Sequence, residues 1–212
     1  YFVIDQWGGK NRKYAATKFM IYSIGGTLGM LLATQLIGWT AGTFSIQELS
    51  QIWPGFDGVD GAFLGISVGT VKALAFIGFL VAFGIKVPIW PFHTWLPDAH
   101  GEAPTAGSML LAGVMLKLGA YGFIRLVVPF FPDVWISEIN FLGLEFTTAG
   151  VFAFLAMLGI VLGAFAAFGQ NDIKRLVAYS SVNHMGFVAI GIAAMAVAYG
   201  RAWETGDMEH MQ

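Results

Sequence analysis

From Ala62 to about Pro97 the chain stays apolar for roughly 36 residues, which as one straight helix would reach about 54 Å and overshoot the ~30 Å hydrocarbon layer of a bilayer. Something inside the run has to break it. Pro88 and Pro91 each remove a backbone donor and clash with the preceding turn. The sequence therefore predicts a helix over about Phe63 to Ile85, a short unwound segment, and a shorter helix through Trp90–Leu96. Lys86 stands at the break, in Gly84-Ile85-Lys86-Val87-Pro88, and Lys117 falls midway along the next apolar run, Pro104 to Phe131. A lysine held at membrane depth costs at least ~2.5–3.5 kcal/mol on insertion scales, so its default reading is functional.

Composition decides that this default applies. Hydrophobic residues make up 57% of the chain and charged residues 11%, outside the range of soluble globular domains. A net charge of −2 leaves no basic surface for nucleic acid. No cysteine is present, which excludes disulfides, Cys-ligated zinc and iron–sulfur centres. No glycine fingerprint follows a strand, so neither NADH nor flavin is expected here, and no cofactor or metal is assigned to the chain. The sequence opens at Tyr1 inside an apolar YFVI run with no signal-peptide layout, which reads as an internal piece of a longer polypeptide, with residues 1–212 forming one membrane domain.

The expected architecture is an all-α polytopic membrane bundle of about five full spans, one of them broken near Lys86–Pro91. Tyr1–Ile4 reads as the end of a helix, followed by the polar turn DQWGGKNRK. Ala15 to Gly38 is a first span, whose Gly25-x-x-x-Gly29 suits close helix contact. Trp39 to Gly61 reads as an acidic loop with Glu48, Asp57 and Asp60. Lys72, about 21 Å before Lys86 along the next element, is near enough to the membrane edge to snorkel. DAHGEAP reads as a connection, with Pro104 suited to the first helical turn and Glu102 near the positive end of the dipole. Pro132 to Asn140 is a second acidic loop, Phe146 to Phe168 an uncharged span, and GQNDIKR a tight turn. Ile173 to Tyr199 is the last span, with His184 near its middle, and GRAWETGDMEHMQ a polar tail.

Lys10, Arg12, Lys13, Lys18, Lys174 and Arg175 collect on one side of this arrangement, whereas the other side receives only Arg201 among the basic loop residues. Since Lys and Arg accumulate on the cytoplasmic side, the Lys10 turn and the Pro97–Ala103 connection are expected there, with the Glu48 loop outside. Inside the membrane remain Lys86, Lys117 and His184, with His93, His100 and Arg125 nearer the boundaries. Burial disfavours the charged form of lysines, and histidine titrates near neutrality already, so such groups suit a proton relay. Ser180, Ser181 and Asn183 offer a blander role for His184, an interhelical hydrogen-bond cluster. His93 and His100, seven apart, share one face if their segment is helical, and they are accessory candidates. A haem-bearing electron carrier is disfavoured, because of the four histidines only His184 is deep and His93 and His100 share one element.

KVPIWPFHTWLPDAHGEAPTAGSMLLAGVMLKLGAYGFIR and NDIKRLVAYSSVNHMGF resemble the antiporter-like membrane subunits of proton-pumping NADH:quinone oxidoreductase, respiratory complex I, in particular the M-type. The resemblance covers essentially the whole chain and implies that the five spans are helices six to ten of a fourteen-helix subunit, with the broken one as helix seven. It places the family's central lysine on Lys86, its helix-eight lysine on Lys117 and its helix-ten histidine on His184. The glutamate that pairs with the broken-helix lysine would lie before Tyr1, and the second broken helix beyond this chain, so the piece is not expected to pump alone.

The implied function is a proton-translocating, non-redox subunit coupled to NADH (or other donor):quinone electron transfer. The implied partners are neighbouring membrane subunits and the lipid bilayer of a bacterial inner or equivalent energy-transducing membrane. The alternative is a subunit of a multisubunit Na⁺/H⁺ antiporter or membrane-bound hydrogenase.

Overall fold

The computed structural model describes residues 1–56, 65–141 and 144–206. Asp57, Asp60, the expected helix start at Phe63 and the end of the polar tail from residue 207 lie outside these. In chain order the elements are α1 (Phe2–Trp7), α2 (Arg12–Ala41), α3 (Ile46–Ile52), α4 (Val68–Lys86) and α5 (Trp95–Glu102). There follow α6 (Thr105–Phe130), α7 (Pro132–Ile136), a ribbon of β1 (Glu138–Phe141) and β2 (Leu144–Thr147), α8 (Thr148–Phe168) and α9 (Ile173–Thr205).

Five of these, α2, α4, α6, α8 and α9, are long and apolar enough to cross a membrane. The chain is thus an all-α polytopic membrane bundle with a two-stranded ribbon at one end. Caps fix where three of the spans begin. The Ser67 hydroxyl accepts the Thr70 N–H at 3.3 Å, Thr147 the Gly150 N–H at 3.1 Å and the Asp172 carboxylate the Lys174 N–H at 2.9 Å. Each satisfies a backbone donor that the first helical turn leaves free.

Helices α2 and α4 cross at van der Waals contact of their backbones. A Cβ added at Gly78 would stand 2.8 Å from the Gly29 carbonyl oxygen and 3.0 Å from Ala33 Cβ, so only glycine permits the crossing. Gly25 faces open space. The seam therefore runs through Gly26, Gly29 and Ala33 rather than through the Gly25–Gly29 pair that spacing alone suggested.

Several loops hold more structure than expected. The Trp39–Gly61 segment contains α3, and its signal was present: Ser45-Ile-Gln-Glu48 is a capping-box spacing, and the Ser45 hydroxyl accepts the Glu48 N–H at 3.5 Å. The Pro132–Asn140 segment contains α7 and most of β1, whose pairing with β2 sets Ile139 opposite Phe146. Phe146 is therefore in a strand, and the span begins at Thr148. DAHGEAP is helical as far as Glu102, where a connection was expected. Lys72 does not snorkel. It is 8% exposed, donates to the Pro54 carbonyl at 2.9 Å and stands 3.7 Å from the Asp133 carboxylate, clamping the segment after α3 and the start of α7 to α4.

A candidate proton-transfer site at the helix break

Helix α4 ends at Lys86 for a reason that can be followed bond by bond. Pro88 has no N–H to offer the Gly84 carbonyl, and Ile89 N–H takes that place at 3.0 Å. The Ile85 carbonyl, which Ile89 would otherwise have satisfied, accepts the indole N–H of Trp95 at 2.9 Å. Val87 N–H closes the last turn on Phe83 at 2.7 Å. The second helical piece starts at Trp95, five residues later than the Trp90 expected, after a string of turns. Its Pro97 sits in the first turn, where a missing N–H costs nothing. His93 thus precedes α5 and does not share a continuous helix face with His100.

Lys86 is half-buried at this break, and its Nζ has no hydrogen bond or ion pair among the described residues. Its backbone nests on α6. A Cβ at Gly119 would lie 2.9 Å from Lys86 Cβ and 2.8 Å from Val87 Cγ2, so Gly119 is what lets the end of α4 approach. Lys117, two residues earlier, is turned about 200° away around α6. It is exposed and its Nζ donates to the Ala112 carbonyl, inside a π-helical turn at Leu111–Met115. A second such turn occupies Phe123–Val127. Turns of this kind inside transmembrane helices are frequent at functional sites.

His184 is exposed on α9 and takes no part in the polar cluster beside it. Asn183 makes the interhelical bond, its Nδ2 donating to the Ile160 carbonyl of α8 at 2.8 Å, and Ser181 bonds back to Val177 within its own helix. Lys86, Lys117 and His184 therefore do not converge within this chain. Lys117 and His184 both face outward from the bundle.

What the structure does gather lies between Lys86 and the basic end. The His93 ring stands 6.5 Å from that of Tyr179, with Nδ1 buried and unpartnered. Thr94 and Tyr22 hydroxyls are 2.9 Å apart. Asp98 receives Lys18 at 2.7 Å and Arg175 at 3.5 Å, which ties α5 to both α2 and α9. Lys174 donates to the Ala103 carbonyl at 3.0 Å, and Glu102 accepts the Asn11 N–H at 3.0 Å through its carboxylate, rather than serving the start of α6. His100 is 7% exposed with Nε2 unpartnered.

Burial pushes both imidazoles below their usual value, and for His93 the Lys18 cation adds to the effect. The basic residues do collect at one end, as their sequence positions required. Asp98 was not singled out by sequence reasoning, although an acid in the connection nearest six basic residues was the available signal.

A helix interrupted within the bundle, with its freed carbonyls re-satisfied from inside the protein and a lysine at the interruption that has no partner among the described residues, is an architecture that recurs in membrane transporters. The chain belongs to the family described as NADH:quinone oxidoreductase/Mrp antiporter, TM, which matches residues 1–205. Among its relatives, NADH-quinone oxidoreductase subunit M of Rhodobacter capsulatus is 45% identical over 196 residues, covering 92% of this chain and 36% of the relative. NAD(P)H-quinone oxidoreductase chain 4 2 of Thermosynechococcus vestitus is 44% identical over 197 residues, covering 92% and 33%. The chain thus spans about a third of the length of these relatives.

Respiratory complex I from Thermus thermophilus with bound NADH contains a chain that superposes with a TM-score of 0.69 at 26% identity, covering 96% of this chain and 44% of that one. A chain of the Mrp complex from Dietzia sp. DQ12-45-1b superposes at 0.66 and 19% identity, covering 89% and 32%; that likeness concerns the fold.

Proposed function

We propose that this chain is the proton-transferring part of an M-type subunit of a membrane NADH:quinone oxidoreductase, carrying protons and no electrons itself. The observation that carries the reading is Lys86: a half-buried lysine at a broken transmembrane helix, with no partner among the described residues. A carboxylate supplied from outside residues 1–212 pairs with the Lys86 ammonium and holds its proton. When that pairing loosens, the proton is released, and Lys86 is recharged through the His93 and Asp98 side of the bundle. Lys117 and His184, facing outward from the bundle, are placed to hand protons to groups that lie beyond it. Other membrane subunits and lipid are the expected partners, and a bacterial inner membrane the expected location.

The test is proton pumping by the intact parent complex in sealed vesicles, comparing wild type with Lys86→Ala at matched quinone reductase activity, with a sodium ionophore as control. Lys86→Ala is expected to lose most of its pumping and keep its reductase activity. A wild-type proton yield per electron in that variant overturns the assignment. Pumping that collapses with the sodium ionophore points to a cation/proton antiporter of the same fold instead.

A further inference from the structure

Seven aromatic rings fill the interior between Lys86 and the end of the bundle opposite the basic cluster, and they close on one another. Phe83 is 5.7 Å from Phe123 and stacks on Phe79 at 5.9 Å. Phe79 is 6.2 Å from Phe131, which is 5.5 Å from Phe76. Phe76 meets Trp135 at 5.2 Å, Trp135 meets Phe152 at 5.3 Å, and Phe152 returns to Phe123 at 5.2 Å. All of these spacings fall in the range of favourable ring pairs.

The rings come from α4, α6, α7, α8 and Phe131 between α6 and α7, and α9 packs on this group from outside through Gly200, where a Cβ would stand 2.6 Å from Ile136 and 2.8 Å from the Pro132 carbonyl oxygen. None is more than 6% exposed, and Phe123, Phe131 and Trp135 are fully buried. On α4 the three phenylalanines step away from Lys86 along one face, reaching about 15 Å from it at Phe76. The groove outside them, about 330 Å³ between α4 and α8, ends on Phe76 and Phe152, and the residues lining it carry no charge.

The two sides of Lys86 are therefore unlike. Toward the basic end lie hydroxyls, imidazoles and carboxylates that can hold water; toward the other end the described residues put no polar side chain among the rings except the Trp135 indole, whose N–H is already given to the Val127 carbonyl at 3.2 Å. The next charged groups, Lys72 and Asp133, lie beyond Phe76 and face each other at 3.7 Å. Apolar cavities stay dry even when a water would fit, and hydrophobic constrictions block ion passage by excluding water.

We propose that this closed set of rings is a dry barrier that stops protons flowing back through the bundle between Lys86 and the side opposite the basic cluster. The proposal deepens the proton-transfer reading, on which it rests for its purpose, but the barrier itself is measurable with the reductase idle. Gly122 is part of the device: a Cβ there would stand 2.3 Å from the Phe83 ring and push that ring out of the set.

The test uses the complete subunit within its parent complex, reconstituted in liposomes holding a pH-sensitive dye. A pH difference is imposed without substrate and its decay followed for wild type, Phe79→Leu and Phe79→Gln. Leucine keeps the interior apolar, whereas glutamine places an amide that can recruit water. Severalfold faster decay in Phe79→Gln with Phe79→Leu at the wild-type rate is expected.

Wild-type decay in Phe79→Gln overturns the barrier, and so does equal acceleration in both variants, which would reduce the rings to packing. If Phe79→Gln fails to assemble, Phe79→Tyr keeps the ring, adds one hydroxyl and is judged by the same two outcomes. Lys86→Ala, run alongside, is expected to lose pumping at a wild-type decay rate. If it pumps normally, the role of Lys86 falls while the decay in the Phe79 variants still decides the barrier.

Discussion

His100 carries its consequence in its burial. It is 7% exposed with Nε2 unpartnered, and burial holds it below the usual imidazole value of 6.5. The cations nearest its end of the bundle, Lys18 and Arg175, share the single Asp98 carboxylate. Because the folded-state value is depressed, the stability it contributes is present above about pH 6.5 and lost as the pH falls, when the unfolded chain takes up a proton the folded one resists. The melting temperature of the solubilised assembly is therefore expected to drop on acidification, and His100→Asn to flatten that drop. An unchanged pH slope in the variant would remove His100 from the account. Gly119 sets a second expectation. Its missing Cβ is the space that the backbone of Val87 and the Lys86 side chain occupy, so Gly119→Ala displaces the end of α4 at a cost of about 1–3 kcal/mol. Lower thermal stability together with reduced pumping checks it, since a merely local repacking would leave pumping intact.

Among the elements, the broken helix shows what sequence can and cannot convey. Its existence followed from the length of the apolar run and from Pro88, because a proline leaves a specific carbonyl without a donor wherever it falls. Where the chain resumes helix did not follow, because that depends on Trp95 reaching back ten residues to the Ile85 carbonyl, a contact with no local signature. The same division holds for the charged groups. That Lys86 lies at a break was legible; that Lys117 points outward was not, since the π-helical turn at Leu111–Met115, just before it in α6, shifts the helical phase that spacing assumes. Lys72 was misjudged because its partners, Pro54 and Asp133, come from segments read as loops. Trp95→Phe keeps the ring against Phe19, 5.4 Å away, and deletes only the donor. Leaving the buried Ile85 carbonyl unpaired should cost about 1–3 kcal/mol in unfolding of the solubilised protein. Full stability in that variant would mean that the break is held by the turns after Lys86 alone.

Across the whole molecule, ionic clamps tie the bundle at both ends, and their surroundings predict which one matters more. At the basic end Asp98 holds Lys18 and Arg175, but the Lys18 and Asp98 side chains are each 21% exposed and that of Arg175 38%. Water competes for these pairs, and Asp98→Asn should cost only about 1 kcal/mol. At the other end the Lys72 side chain is 10% exposed and bonds the Pro54 carbonyl as well as facing Asp133. Removing its ammonium takes the donor from the Pro54 carbonyl and the facing cation from the Asp133 carboxylate, whose other oxygen, Oδ1, is already buried without a hydrogen bond among the described residues. Asp133 itself is 34% exposed, which moderates the loss, so Lys72→Met should cost about 1–3 kcal/mol, more than Asp98→Asn. The two variants should also differ in salt dependence. Added salt screens the exposed basic cluster and brings wild type and Asp98→Asn together, while the deficit of Lys72→Met persists. Unfolding curves of both variants at low and high ionic strength decide this. If Asp98→Asn proves the more damaging and its deficit survives high salt, the basic end is the tighter closure, and the polar route proposed beside Lys86 would be far less open to water than its side chains suggest.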